Sequence, residues 1–261
     1  MNDFLKSRKA LKKKFQSRAK IFGSWTSLGH PSITEIFARS GVDFVGIDLE
    51  HSTISQEQSQ WIIAASQAGD CVCLPRVGSH NPEMVRRLLD SGADGMIVPM
   101  VQNAQDVRNM IAWAKYPPKG RRGFGVSRGQ GYGMDFAEYT KTWNESSIMI
   151  AQIESIAAVD RIDEILSFPE LDGVMVGPYD ISGSLGIPGQ LEHKRVIAAG
   201  KRVIAACQKH GKSCGTQIID PDAERVKKAF SAGFSFVILS SDVFLLWKWA
   251  ENIKKLTTDQ R

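Results

Sequence analysis

The sequence lacks several features that would fix its class at once. Its four cysteines, Cys71, Cys73, Cys207 and Cys214, form no C-x-x-C and no zinc-like pairing. That excludes a disulfide framework and points to a reducing compartment, so a cytoplasmic location is expected. No apolar stretch approaches the length of a membrane span, and the N-terminus has no apolar signal-peptide core. No Gly-Lys-Ser/Thr follows the glycine-rich segment, which excludes a P-loop. No linker or composition shift divides the chain, so residues 21–261 are expected to form one domain.

What is present begins with charge. The first twenty residues, "MNDFLKSRKALKKKFQSRAK", carry eight Lys or Arg and one acid, in a chain of net charge +5. The expectation is a basic helical extension over 1–20 with Phe4, Leu5, Leu11 and Phe15 against the body. Contact with nucleic acid or an anionic membrane is the other reading of such a segment; the rest of the chain calls for neither partner.

After residue 20 a short apolar run is followed, again and again, by a longer amphipathic one. Strand candidates are 20–28, 43–49, 71–77, 94–101, 148–153, 172–178, 212–219 and 234–241. Cys71 and Cys73, two apart, would share one strand face as small core residues. Between the runs lie helix-like stretches such as "PSITEIFARSG", "NPEMVRRLLDSG" and "DAERVKKAFSAG", each ending in the glycine that favours a left-handed cap. This alternation means parallel strands with right-handed crossovers. A doubly wound sheet would also alternate, but eight repeats favour an α/β fold of the (β/α)8 TIM-barrel type.

One connection is stretched. Residues 116–139, "YPPKGRRGFGVSRGQGYGMDFAEY", are too rich in Gly and Pro for regular structure. The segment reads either as a cover for a site or subunit interface, or as a plain surface insertion. Arg121, Arg122 and Arg128 amid its glycines would suit an anionic ligand.

In α/β folds, chemistry collects at the carboxyl ends of the strands. Those ends carry Asp48, Glu50 and His51 in "IDLEHS", Arg76 in "LPRVGS", Gln152 and Glu154 in "AQIES", Asp180 in "VGPYDIS" and Gln217 in "GTQIID". Alternation makes Gln152 and Glu154 point the same way and sends Ile47 and Leu49 to the helix layer. Glu154 and Asp180 on adjacent strands would repel unless one held a proton or a divalent cation lay between them. The plainer alternative makes Asp180 a helix cap and pairs Glu154 with an arginine. His51 alone fits a loop residue, and Arg76 alone fits an ion-pair partner of Asp48. Together, Arg, His and two carboxylates suit enolisation of a 2-keto acid.

On "GVDFVGIDLEHS", "LPRV", "LLDSGADGMIVPMVQNAQDV", "YPPKGRRGFG", "QIES" and "GVMVGPYDISGSLGIPG", the sequence resembles the HpcH/HpaI aldolase family. These are metal-dependent class II pyruvate aldolases acting on 4-hydroxy-2-oxo acids and 2-keto-3-deoxy sugar acids. The resemblance covers most of residues 22–190. It implies a phosphoenolpyruvate/pyruvate-type barrel in a homo-hexamer, a trimer of dimers with an exchanged C-terminal helix. It implies Glu154 and Asp180 as ligands of Mg²⁺, Mn²⁺ or Co²⁺, and Arg76 as the group binding the pyruvate carboxylate and enolate. His51 would serve acid/base transfer, Asp48 would be tied to that proton path, and Asp90 would reach the site from a neighbouring subunit. Gln152 would hold the site, and the backbone of Gly177, Pro178, Tyr179 and Asp180 would cradle the carboxylate. Tyr179 stands where a small residue is common, Ser155 where Thr is common, and the "GFGVSRGQGYG" loop also departs. Acceptor choice is the property expected to differ.

The implied activity is reversible aldol cleavage of a 4-hydroxy-2-oxo acid to pyruvate and an aldehyde. Its rivals are a citrate-lyase-like enzyme using phosphoenolpyruvate or a CoA ester, and a non-catalytic protein binding through its basic N-terminus.

Overall fold

The structure is a computed structural model that describes residues 3–260, with side chains from Leu5 onward. It opens with α1 (Asp3–Gln16) and proceeds through β1 (Ile21–Thr26), α2 (Pro31–Ala38), β2 (Phe44–Asp48), α3 (Gln56–Ala68), β3 (Val72–Arg76) and α4 (Pro82–Asp90). Next come β4 (Gly95–Val98), α5 (Ala104–Ala114), a 3₁₀ turn, α6 (Phe136–Ser146), β5 (Ile148–Ile153), α7 (Ile156–Asp160), α8 (Ile162–Leu166) and β6 (Gly173–Val176). The chain ends with α9 (Pro178–Ser184), α10 (Lys194–Lys209), β7 (Ser213–Ile218), α11 (Ala223–Ser231), β8 (Phe236–Leu239) and α12 (Asp242–Thr258). The strands pair in sequence order, all parallel, and β8 closes on β1. The result is a (β/α)8 barrel, with each strand inside a run expected from the sequence.

Local chemistry explains the boundaries. Ser55, Asn81, Asn103, Ser155, Asp222 and Ser241 each accept a backbone N–H at a helix start, and Ser55 with Gln58 forms a capping box. After α2, α4 and α11, Gly41, Gly92 and Gly233 take positive φ and turn the chain toward the next strand.

Strand alternation sorts side chains into two layers. Ile21, Phe44, Leu74, Ile97, Ile150, Met175 and Phe236 fill the barrel, whereas Ile47, Cys73, Val98, Ile153 and Val176 face the helices. Rings fit inside because a glycine stands beside them. A Cβ on Gly23 would lie 2.4 Å from the Phe44 ring, and one on Gly215 would lie 2.1 Å from the Phe236 ring.

The floor, at the amino ends of the strands, is closed by α1. Leu11 and Phe15 join the barrel interior, Phe15 meets Phe236 edge-on at 5.4 Å, and Leu5 is buried as well. Burying each such side chain contributes about 1.5–3 kcal/mol. The Phe4 side chain lies outside the described residues. Charge is buried here too: Lys12 Nζ lies 2.7 Å from Asp172 Oδ1 and donates to the Ser147 carbonyl at 2.9 Å. Arg8 lies 3.5 Å from Asp94 and over the Trp143 ring at 5.0 Å. Two cations of the basic segment are therefore interior, which its solvated-helix pattern did not foretell.

Candidate active site

At the carboxyl mouth, Asp48 and Arg76 are register partners on β2 and β3, so both side chains project into the same space. Arg76 Nη2 lies 2.8 Å from Asp48 Oδ1, with Nε donating to the same oxygen at 3.1 Å. Its Nη1 donates to Gln152 Oε1 at 3.4 Å, and the guanidinium lies 5.1 Å from the Trp25 ring. Asp48 Oδ1 also accepts the backbone N–H groups of Glu50 and His51, each at 3.1 Å. One carboxylate thus orients the arginine and bends the chain that carries His51.

Gln152 links that arginine to the next acid. Its Nε2 donates to Glu154 Oε2 at 2.5 Å, while the Met100 backbone N–H donates to Glu154 Oε1. Met100 has φ +53°, a left-handed conformation unusual for its side chain, and the turn after β4 uses it to aim this N–H. Burial pushes the Glu154 carboxyl above its ordinary range; the Met100 N–H counteracts this, and the charges of Glu50 and Asp180 add to the rise. Asp180 is exposed in the first turn of α9. The plainer reading of the two carboxylates does not hold: α9 has no side-chain cap, and the hydrogen-bond donors to Glu154 are amides.

Between the two acids lies Gly177. A Cβ there would stand 3.0 Å from Glu154 Cβ, 3.3 Å from Asp180 Oδ2 and 3.5 Å from Glu154 Oε2. The missing side chain keeps a space that both carboxylates border.

Glu50 joins this group, although the sequence reading gave it no role. Its Oε2 lies 3.1 Å from Arg76 Nη1, yet without hydrogen-bond alignment, so this buried oxygen has no hydrogen-bonding partner. Burial raises its pKa; Arg76 and His51 oppose the rise, while Asp48 and Asp180 reinforce it. The available signal was its position in "IDLEHS", two residues past Asp48. The His51 side chain is 70% exposed, with Nε2 3.7 Å from Glu50 Oε2. Asp48, His51, Arg76, Gln152, Gly177, Pro178, Tyr179 and Asp180 line one cavity of about 610 Å³.

Asp90, expected to reach the site of a neighbouring subunit, ends α4 close to the amino end of β4 and pairs with Arg122 at 2.8 Å in its own chain. One expectation needs correction: of the three loop arginines, Arg122 and Arg128 are committed within the fold. Arg122 is buried, donates to Tyr139 at 3.0 Å and stacks against Trp143 at 4.7 Å. Arg128 donates to Gln67 and to the Ser91 carbonyl. Neither is left to meet an anion at the mouth.

The fold and this mouth are those of a barrel that gathers one arginine and a cluster of acids at the carboxyl ends of its strands, where barrel enzymes carry their active sites. A family model described as "HpcH/HpaI aldolase/citrate lyase" matches residues 22–248. A hydroxypyruvate/pyruvate aldolase of Paraburkholderia phytofirmans is 34% identical over 242 residues, 89% of this chain and 91% of its own. A 2-keto-3-deoxy-L-rhamnonate aldolase of Escherichia coli is 35% identical over 230 residues, 85% and 83% of the two chains. A crystal structure of an HpcH/HpaI aldolase/citrate lyase family protein from Burkholderia cenocepacia superposes with TM-score 0.89 at 28% identity, covering 96% of this chain and 99% of that one. The chain belongs to the HpcH/HpaI aldolase/citrate lyase family, and it is a carbon–carbon lyase of the aldolase type.

Enzymes of this family generally depend on a divalent metal ion. Among the described residues, no three His, Cys, Asp or Glu side chains form a ready-made cage. The donor set still fits a hard cation that keeps most of its positions for water and substrate, because such ions often bind through one or two carboxylates. The Gly177 space bordered by Glu154 and Asp180, and the unpartnered Glu50 oxygen nearby, are what a cation there would require.

Proposed function

We propose that the protein catalyses reversible aldol cleavage of a 4-hydroxy-2-oxo acid to pyruvate and an aldehyde. The observation that carries this reading is the fixing of Arg76 by Asp48 and Gln152, with Glu154 hydrogen-bonded to that same Gln152. Arg76 binds the substrate carboxylate and steadies the enolate oxygen; a preorganised donor of this kind is worth about 2.7–4 kcal/mol in the transition state. Asp48 and Gln152 are positioning residues. Backbone N–H groups of Tyr179 and Asp180, in the first turn of α9, would meet the same carboxylate. The expected Gly177 amide is not available, because it donates to the Ile153 carbonyl at 3.0 Å, and Pro178 has no N–H. Glu154 and Asp180 hold the divalent cation, Mg²⁺, Mn²⁺ or Co²⁺. When bound, it supplies positive charge beside the keto group. His51 takes the proton of the 4-hydroxyl as the C3–C4 bond breaks and the aldehyde leaves; a proton then returns to C3.

Asp90 serves another subunit in this reading. The exposed Leu245, Leu246, Trp247, Trp249, Ile253 and Leu256 of α12 suit a homo-oligomer in which that helix packs on a partner. The four cysteines are unpaired and buried, which suits a reducing cytoplasm. The rival use of a phosphorylated substrate leaned on the loop arginines, two of which are committed elsewhere.

The test is exchange of the pyruvate C3 protons in D₂O, followed by NMR in EDTA-stripped protein and after adding each metal. The expected result is metal-dependent exchange that disappears in Glu154→Ala. Folded protein that shows no exchange with any metal would sink the reading.

A further inference from the structure

The 610 Å³ mouth is far larger than pyruvate needs; cavities of about 300–1,000 Å³ take drug-sized ligands. Arg76, Gln152 and Asp180 supply its polar end, and Ser27, Gln217 and Ser241 also line it. Elsewhere it is bordered by Tyr179, Leu191, Ile219, Val243 and half-buried Phe244, contributed by α9, the loop before α10, the loop after β7 and the first turn of α12. The first four of these are each at least 40% exposed. Apolar side chains so exposed around a polar centre mark a surface that takes an apolar group.

The charges along this wall are spent on one another. Arg225 pairs with Asp220 at 2.9 Å and lies 3.5 Å from Asp222, while Lys248 also pairs with Asp220. Besides Arg76, Arg225 is the only arginine or lysine among the described lining residues, so no free cation remains for a second carboxylate. A polyhydroxylated chain laid against Leu191, Ile219, Val243 and Phe244 would meet side chains that cannot replace the hydrogen bonds it gives up to water, at a cost for each hydroxyl.

We infer that the aldehyde partner of this enzyme carries an apolar, uncharged side chain, aromatic or branched alkyl, seated against Leu191, Ile219, Val243 and Phe244. This rests on the aldol reading above and narrows it. In the synthetic direction pyruvate loses a C3 proton, C3 bonds to the aldehyde carbon, and the carbonyl oxygen takes up a proton; nothing is oxidised or reduced. These residues share one cavity with Arg76 and Gln152, which ties them to the reacting carbon and separates them from the outward face of α12.

The experiment measures kcat/KM for condensation of pyruvate with benzaldehyde, glycolaldehyde and succinic semialdehyde, in metal-supplemented full-length protein. Benzaldehyde is expected to exceed the other two at least tenfold. Leu191→Asn and Ile219→Asn should each lower the benzaldehyde-to-glycolaldehyde ratio by about tenfold, the scale of one misplaced contact in an apolar pocket. A change in ratio, unlike a general loss of rate, is not a symptom of misfolding. Preference for the hydroxylated or carboxylated aldehyde, or a ratio unmoved in both variants, would overturn the inference. C3-proton exchange without aldehyde separates the two failures. Exchange with the wrong preference removes the inference alone, and no exchange under any metal removes the aldol reading and this inference with it.

Discussion

The two ends of the barrel handle buried charge in opposite ways. At the floor each buried acid has a cation of its own: Lys12 for Asp172 and Arg8 for Asp94. At the mouth Asp48 and Glu50 share one arginine, Glu154 is held by amides with exposed Asp180 close by, and Glu50 keeps an oxygen without a hydrogen bond. Each floor pair holds the structure together, because removing either partner strands a charge. Buried Lys115 is the exception at this end: it donates to Asn144 and Ser147 oxygens, and burial lowers its pKa to about 7. A surplus of one sign is a standing cost that a bound cation would relieve, and such perturbed groups collect at functional sites. The fold thus separates its stabilising end from its reactive end, as the barrel architecture leads one to expect.

Breaking the floor should give the largest effect. Lys12→Met leaves Asp172 buried opposite an apolar side chain, and urea unfolding should show a loss of about 3–5 kcal/mol. Proton exchange per folded molecule should not change. A loss below about 1 kcal/mol would mean that the ion pair does not hold the floor. Filling the mouth comes next. Gly177→Ala puts a methyl group against Glu154 and Asp180, and Mn²⁺ titration should show affinity lowered about 10–100-fold, as for other disturbed metal surroundings. Unchanged affinity would place the cation elsewhere.

The smallest effect should come from relieving the surplus. Glu50 has a folded pKa above the ordinary 4.5, so the native chain holds this proton more tightly than the unfolded chain. Its ionised form therefore costs stability at neutral pH, and the cost fades as pH falls through the folded pKa toward 4.5. Glu50→Gln in EDTA should raise Tm by about 2–4 °C at pH 7.5, equivalent to roughly 1 kcal/mol, with the gain shrinking toward pH 4. A gain that grew on acidification would reverse the assignment.

Much of the mouth was legible in one dimension because strand alternation is local. Asp48 pointing inward while Ile47 points to the helices, or Gln152 and Glu154 sharing a side, follows from a period of two. Glu50 and Met100 were harder to read. Glu50 lies past the end of β2, where alternation gives no direction, and the Met100 amide depends on a left-handed turn that its side chain does not signal. Arg122 and Arg128 misled for the reverse reason: glycine neighbours suggested an anion loop, whereas the acceptors that claimed them are 32 and 61 residues away in Asp90 and Gln67.

The sequence by itself determined the eight repeats, the caps that start and end them, and the identity of the residues at the strand ends, because propensity, capping and alternation act over a few residues. Only the tertiary structure decided which partner each charge meets. That Lys12 reaches Asp172 across 160 residues, and that Arg76 serves Asp48 and Gln152 together, depends on where closing the barrel brings distant strands. Buried charges pair with what lies nearest in space, and nearness in space is set by the closed sheet rather than by order along the chain.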